Sequence, residues 1–270
     1  MKPPGLQHET ASSGLKPLNL CGFGGLTAMA AEANGWLQAH PEDHTGRAAD
    51  LNQYWYSSAT IATLVGVVRE HVLRVHHGCA FDCAFVSTPS LFFSLTAAER
   101  AGCRLLEYDE TLCSADGCVR FDFHRPTALP QELRGAFKCV VIDPPFITRD
   151  VWQLYAQTAR HLLPEEGGLL VLTTVIENAP MLAELLDARP NVYLPSIPNL
   201  PYQYSVYTNF KAPLLDSPNP EVPHDPAAFL ASANAATASE AEVPLKGAGH
   251  AYDFEAMIEA ELRRQGAASA

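Results

Sequence analysis

The sequence predicts an α/β fold: a Rossmann-like sheet of seven strands, mostly parallel, ending in an antiparallel hairpin. Three observations carry this. Between residues 51 and 211 short apolar runs alternate with segments of helical period, which is the signature of a sheet covered by helices on both faces. Runs such as "KCVVID" and "GGLLVLTTV" are apolar at consecutive positions, as strands buried on both faces must be. The last two runs lie too close together for a helical crossover, so they pair as a hairpin.

The elements follow in order. "SSATIATLVGVVREHVLRV" (57–75) is helical, with Ser57 or Ser58 as its cap. "CAFDCAFVS" (79–87) is the first strand, and "SLFFSLTAAERAG" (90–102) a helix closed by Gly102. "CRLLEYD" (103–109), "GCVRFDF" (117–123) and "KCVVID" (138–143) are the second to fourth strands. The helix "RDVWQLYAQTARHLL" (149–163) leads to the fifth strand, "GGLLVLTTV" (167–175), and the helix "APMLAELLDA" (179–188) to the last two, "NVYLPSI" (191–197) and "YQYSVYTNF" (202–210). Right-handed crossovers wind such a series into a doubly wound sheet.

Three segments are expected. Residues 1–50 form an N-terminal extension with one short helix in "LTAMAAEANGWLQA"; its "CGFGG" reads as a turn, since no strand precedes it and no Lys-Ser/Thr follows it. Residues 51–211 form the α/β domain. Residues 212–270 form an acidic, mostly disordered tail rich in Pro, Ser and Ala, with a terminal helix in "YDFEAMIEAELRR".

The net charge of −12 and the lack of a basic stripe argue against a nucleic-acid partner and favour a basic protein or a small molecule. No run of about 18 apolar residues predicts a membrane span. The start of the chain has no signal or transit character. Seven cysteines without a C-x-x-C pair indicate reduced thiols, no zinc site and a cytoplasmic protein.

Ligands of doubly wound sheets sit at the carboxyl ends of the strands. That rule selects Thr88, Pro89 and Ser90 after the first strand, Glu107 and Asp109 after the second, Asp122 after the third, and Asp143-Pro144-Pro145-Phe146 after the fourth. The last loop is the most informative. Two prolines stiffen the backbone and donate nothing, while their carbonyls remain acceptors beside the Asp143 carboxylate. Such a loop can take both hydrogens of a primary amine and aim its lone pair, with Phe146 as an apolar or stacking wall. The chemistry this suits is amine alkylation by a methyl sulfonium, helped by position and orientation. A strand that merely stops on prolines is the plain alternative. Average composition produces an Asp/Asn-Pro-Pro-aromatic run in a chain of this length about once in 100, which favours the functional reading. Glu107 or Asp109 can accept from a ribose diol, and Asp122 from an adenine amino group; each also reads as a solvated acid at a strand end.

The strand pattern resembles that of the class I S-adenosylmethionine-dependent methyltransferases. More closely, "LNQYWYSSAT", "FVSTPSLFFSL", "LLEYD", "FDFHRPTALP", "VVIDPPFIT", "GGLLVLTT" and "IPNLPYQYSVYTNF" resemble the elongation factor 1-alpha lysine methyltransferase 1 family, formerly labelled probable N6-adenine methyltransferases. The glycine-free "VSTPS", spanning Val86 to Ser90, is similar to the V-S-x-P-S with which that family replaces the usual G-x-G loop. The resemblance implies S-adenosylmethionine as cofactor, with Ser87 to Ser90 in its loop and Gln53, Tyr56 and Ser57 along its methionine end. It implies a lysine of elongation factor 1-alpha as target, a basic partner suited to a negative enzyme. The loop alone does not distinguish a lysine from an adenine amine. An RNA or DNA adenine-N6 methyltransferase and a non-catalytic module with the same fold are therefore the competing readings. The resemblance covers about three fifths of the chain and says nothing of the two ends.

Overall fold

The computed structural model describes residues 55–75, 82–198 and 200–238. The N-terminal extension, Gln53 and the terminal helix expected in "YDFEAMIEAELRR" lie outside the described residues.

Seven strands form one sheet: β1 (Cys83–Val86), β2 (Arg104–Glu107), β3 (Cys118–Arg120), β4 (Cys139–Ile142), β5 (Leu169–Val175), β6 (Arg189–Pro190) and β7 (Tyr204–Thr208), in the order β3-β2-β1-β4-β5-β7-β6. The pairings from β3 to β5 are parallel, and β7 runs antiparallel to both β5 and β6. This is the mixed, mostly parallel methyltransferase sheet with its terminal hairpin, as the sequence predicts. The topological switch lies between β1 and β4.

Alternate residues of each central strand enter opposite cores. Phe85, Leu105, Val141, Val171 and Val206 face α1 (Ser58–Val75), where Ile61, Leu64, Val65 and Val68 are buried. Val86, Leu106, Ile142 and Leu172 face α4 (Arg149–Leu162), where Val151, Trp152, Tyr155, Ala159 and Leu162 recur at helical spacing. The Thr148 hydroxyl caps α4 by accepting from the Val151 amide, and Ser57 caps α1 by accepting from the Thr60 amide at 3.2 Å.

Three details depart from expectation. The helix over 90–102 is two short ones, α2 (Pro89–Phe93) and α3 (Ala97–Arg100). Thr96 and Glu99 form a capping box that starts a new helix, and this local pair outcompetes continuation. The sixth strand is only Arg189–Pro190, after the left-handed Asp187 that ends α5 (Ala179–Leu186); residues 191–197 leave the sheet, and the Asn191 amides bond back to Val206 O.

The third departure is at the tail, where composition predicts a linker from Ala212. Instead Leu215 is fully buried against α1, and its carbonyl accepts from the Tyr193 amide at 3.0 Å. Gly66 explains the fit, since a Cβ there would lie 3.3 Å from Leu214. Asn219 is buried and donates to the Leu194 carbonyl at 2.9 Å. A helix, α6 (Pro226–Ala238), follows. Leu215→Ala is expected to cost about 2–5 kcal/mol, as burial of a leucine implies. Chemical denaturation measures this, and an unchanged midpoint would show that the segment adds nothing to the core.

Candidate active site

The register places the site. Val86 pairs with Leu106 and Ile142, and Ile142 pairs with Leu172. The next residue in each strand is therefore Ser87, Glu107, Asp143 and Thr173, four polar side chains in a row along the carboxyl edge. Ser87 and Asp143 straddle the switch point, each donating its amide to a neighbouring strand: Ser87 to Leu106 O at 2.9 Å and Asp143 to Val86 O at 3.3 Å.

Asp143, half-buried, is the centre of a cluster whose other members, Tyr56 and Thr173, are buried. The Tyr56 hydroxyl donates to Asp143 Oδ2 at 2.7 Å and lies 2.6 Å from Thr173 Oγ1. Burial pushes the Asp143 carboxyl up to about 7, although hydrogen bonds from Tyr56 and Thr173 pull it down. Tyr56 is itself pushed well up, first by burial and then by the Asp143 charge, so it stays protonated and donates. Pro144 is buried and Phe146 half-buried. The loop is pinned from below by Asn178, whose Nδ2 donates to Ile147 O at 2.8 Å and to Thr174 Oγ1 at 2.9 Å. Phe146 meets Phe123 edge-on at 6.3 Å, and Phe123 stacks on Tyr155 at 5.8 Å.

The loop after β1 does without glycine. Ser87 takes a positive φ of 55°, a conformation usually left to glycine, and its hydroxyl lies 2.8 Å from the Tyr155 hydroxyl. Thr88 occupies the cap position of α2 but makes no cap bond. Its Oγ1 is buried without a partner. Pro89 is at the first turn of α2, and the Ser90 carbonyl accepts from the Ser94 hydroxyl at 2.6 Å.

The two acids after β2 have separate work. Asp109 Oδ1 accepts from the Thr111 amide and hydroxyl at 2.9 and 2.7 Å within a turn. Glu107 is buried, and Oε1 accepts from the Tyr108 and Asp109 amides at 2.7 and 3.1 Å. Its Oε2 has no bond among the described residues. Burial raises its pKa to about 7, against the pull of the two amides. Asp122 is more open, and its Oδ1 accepts from the His124 amide and faces His124 Nδ1 at 2.9 Å.

An unpartnered Thr88 hydroxyl and a buried carboxylate with one open oxygen are the features expected where a ligand rich in hydroxyls completes the bonding. The residues present therefore fit a nucleoside-bearing cofactor at β1 and β2. A raised Glu107 also has a consequence for stability. A carboxyl that is harder to ionise when folded stabilises below its unfolded pKa near 4, and that contribution is lost as pH rises through about 7. Glu107→Gln, which keeps an acceptor for both amides, is expected to raise stability at pH 8 by about 1–3 kcal/mol and to flatten its fall between pH 5 and 8. Denaturation across that range checks it; an unchanged slope would mean that Glu107 is ionised normally.

Sequence reasoning identified Ser87, Thr88, Glu107, Asp143 and the proline loop, and the structure brings these to one edge. It did not identify Thr173, Asn178 and Tyr155. Thr173 lies inside β5, two residues before its end, and only its register opposite the end of β4 brings it beside Asp143.

The sheet order, with β7 antiparallel beside β5, is that of the Rossmann-like methyltransferase fold. More particularly, residues 47–212 match the family described as probable N6-adenine methyltransferase, and the chain belongs to that family. The chain is 29% identical over 177 residues to EEF1A lysine methyltransferase 1 of Danio rerio, an alignment spanning 61% of this chain and 99% of that protein. It is 28% identical over 170 residues to the Gallus gallus protein of the same name, across 61% of this chain and 76% of that one. Protein-lysine N-methyltransferase EFM5 of Saccharomyces cerevisiae is 26% identical over 181 residues, across 60% of this chain and 71% of its own length.

Proposed function

We propose that the chain is an S-adenosylmethionine-dependent protein-lysine N-methyltransferase of the cytosol, with translation elongation factor 1-alpha as its substrate. The observation that carries this reading is the Asp143 carboxylate, held by the Tyr56 hydroxyl at the rigid proline loop. The family description names adenine, but the relatives above are named for lysine, and a net charge of −12 repels a polyphosphate substrate. No described helix is long and apolar enough to cross a membrane.

In this reading the cofactor, when bound, supplies an electrophilic methyl group. Glu107 Oε2 would accept from its ribose hydroxyls, Thr88 and the Ser87 loop would line the remainder, and Asp122 would accept from the base. Tyr56 holds one oxygen of Asp143. The other oxygen and the Pro144 carbonyl would accept from the amine and so fix the orientation of its lone pair. A lysine side chain has an ordinary pKa of about 10.4 and must shed a proton first, which a desolvated channel walled by Phe146 favours.

The test is transfer of a tritiated methyl group into cell lysate and into purified elongation factor 1-alpha. Label that resists nuclease, is lost on proteolysis and maps to a lysine of the factor is expected. Label that resists protease and is lost with nuclease would establish the adenine reading instead, and failure to bind the cofactor in a titration would leave a non-catalytic module.

A further inference from the structure

Tyr155 is buried on α4, and the strand-end rule passes it over because it comes from a helix. It nonetheless touches two of the loops at the carboxyl edge of the sheet. Its hydroxyl lies 2.8 Å from the Ser87 hydroxyl, in the loop after β1. Its ring stacks on Phe123 and meets Phe121 edge-on, both at 5.8 Å, and these two residues flank Asp122 after β3. Burial holds the Tyr155 hydroxyl well above the ordinary tyrosine range, against the pull of Ser87, and the charges of Glu107, Asp143 and Asp122 raise it further. The phenol therefore stays protonated and keeps its hydrogen bond to Ser87.

Ser87 needs that bond. Its φ of 55° lies in the left-handed region, where a Cβ crowds the following carbonyl and glycine is at ease. The backbone of Ser87 is tied on one side, its amide donating to Leu106 O at 2.9 Å. The bond to Tyr155 ties its side chain on the other. The conformation of Ser87 sets the direction in which the chain enters α2, and with it the place of the buried, unpartnered Thr88 Oγ1. Without the Tyr155 hydroxyl the cost of the Cβ stands unopposed, and the loop spends part of its time in other conformations. A ligand that needs this one conformation then binds more weakly, in proportion to the fraction lost.

We infer that Tyr155 is a positioning residue for the cofactor: its hydroxyl holds Ser87 in the left-handed conformation that the loop after β1 takes without a glycine. The inference rests on the S-adenosylmethionine reading above. The test is calorimetric titration of the full chain with S-adenosylhomocysteine. Tyr155→Phe keeps the ring and its contacts with Phe121 and Phe123. It is expected to raise Kd about 10-fold, the scale of an unsupported left-handed residue that carries a Cβ. Ser87→Ala removes the other end of the same bond and should raise Kd by a similar factor. Ser87→Gly should bind more tightly than Ser87→Ala, because glycine holds a positive φ unaided. Tyr155→Phe added to either Ser87 variant should change Kd by less than about 2-fold, since the bond is already gone. In the cofactor-free protein the Ser87 amide should exchange with solvent faster in Tyr155→Phe than in the wild type. A wild-type Kd in Tyr155→Phe would overturn the role. So would an equal rise of Kd in the wild type and in both Ser87 variants, or a Ser87→Gly that binds no better than Ser87→Ala. A wild type that binds no S-adenosylhomocysteine would overturn the cofactor reading itself and the role with it.

Discussion

Asp143→Asn is expected to lower turnover about 100-fold or more, the scale of losing one positioned polar group at a reacting centre. The substitution keeps the size of the side chain and an oxygen that can accept from Tyr56, so the loop should hold its shape. What it removes is the charge that draws in and orients a cationic side chain, and KM for the protein substrate should rise as well. The pH profile gives an independent readout. With its carboxyl pushed up to about 7, Asp143 loses its charge as pH falls through neutrality, so wild-type kcat/KM should carry an acid limb near that value and the variant should lack it. Cofactor affinity should change little, since Glu107 lies one strand further on, past β1. Stability at pH 8 should hold or rise, because a carboxylate with a raised pKa weakens the folded state above that pKa. Wild-type kinetics in the variant would remove Asp143 from the reaction and return the proline loop to a structural stop.

Most of this frame is legible in the sequence for a physical reason. Strands buried on both faces leave consecutive apolar residues, as in "CVVI" before Asp143, and the strand-end rule then needs only the next residue. Register is not legible in the same way. That Ser87, Glu107, Asp143 and Thr173 stand in one row depends on pairings between strands far apart in the chain. Thr173 and Thr174 read as ordinary strand residues because threonine is a good strand former; only their neighbours make them polar contacts of the site. Ser87 is legible as an oddity, a missing glycine, but not its remedy, the Tyr155 hydroxyl from α4. The tail misleads because composition reports average polarity, whereas two side chains, Leu215 and Asn219, suffice to pack it. The glycine at position 66, inside a long helix, is the one local sign that something lies close there.

Tyr56→Phe is expected to be the second most damaging change, and it discriminates between two roles. The resemblance implies that Tyr56 lines the cofactor; the geometry makes it a positioning residue for Asp143, through a 2.7 Å hydrogen bond. Phenylalanine preserves the buried ring and removes only the donor. Because that donor lowers the Asp143 pKa, its loss should push the carboxyl further up, leaving less of it ionised at neutral pH. Thr173 Oγ1 loses the same hydroxyl at 2.6 Å, and the lost bonds should cost about 1–3 kcal/mol of stability. The expected kinetic result is a fall in kcat/KM of about 10-fold or more at pH 7, with the acid limb displaced to higher pH and partial recovery in alkaline buffer. A cofactor-lining tyrosine would behave otherwise, since the dissociation constant for the cofactor would rise while the limb stayed in place. The two outcomes are separable in one set of measurements, a cofactor titration and a pH–rate profile. A displaced limb with unchanged cofactor affinity is the result that the Tyr56–Asp143–Thr173 cluster requires.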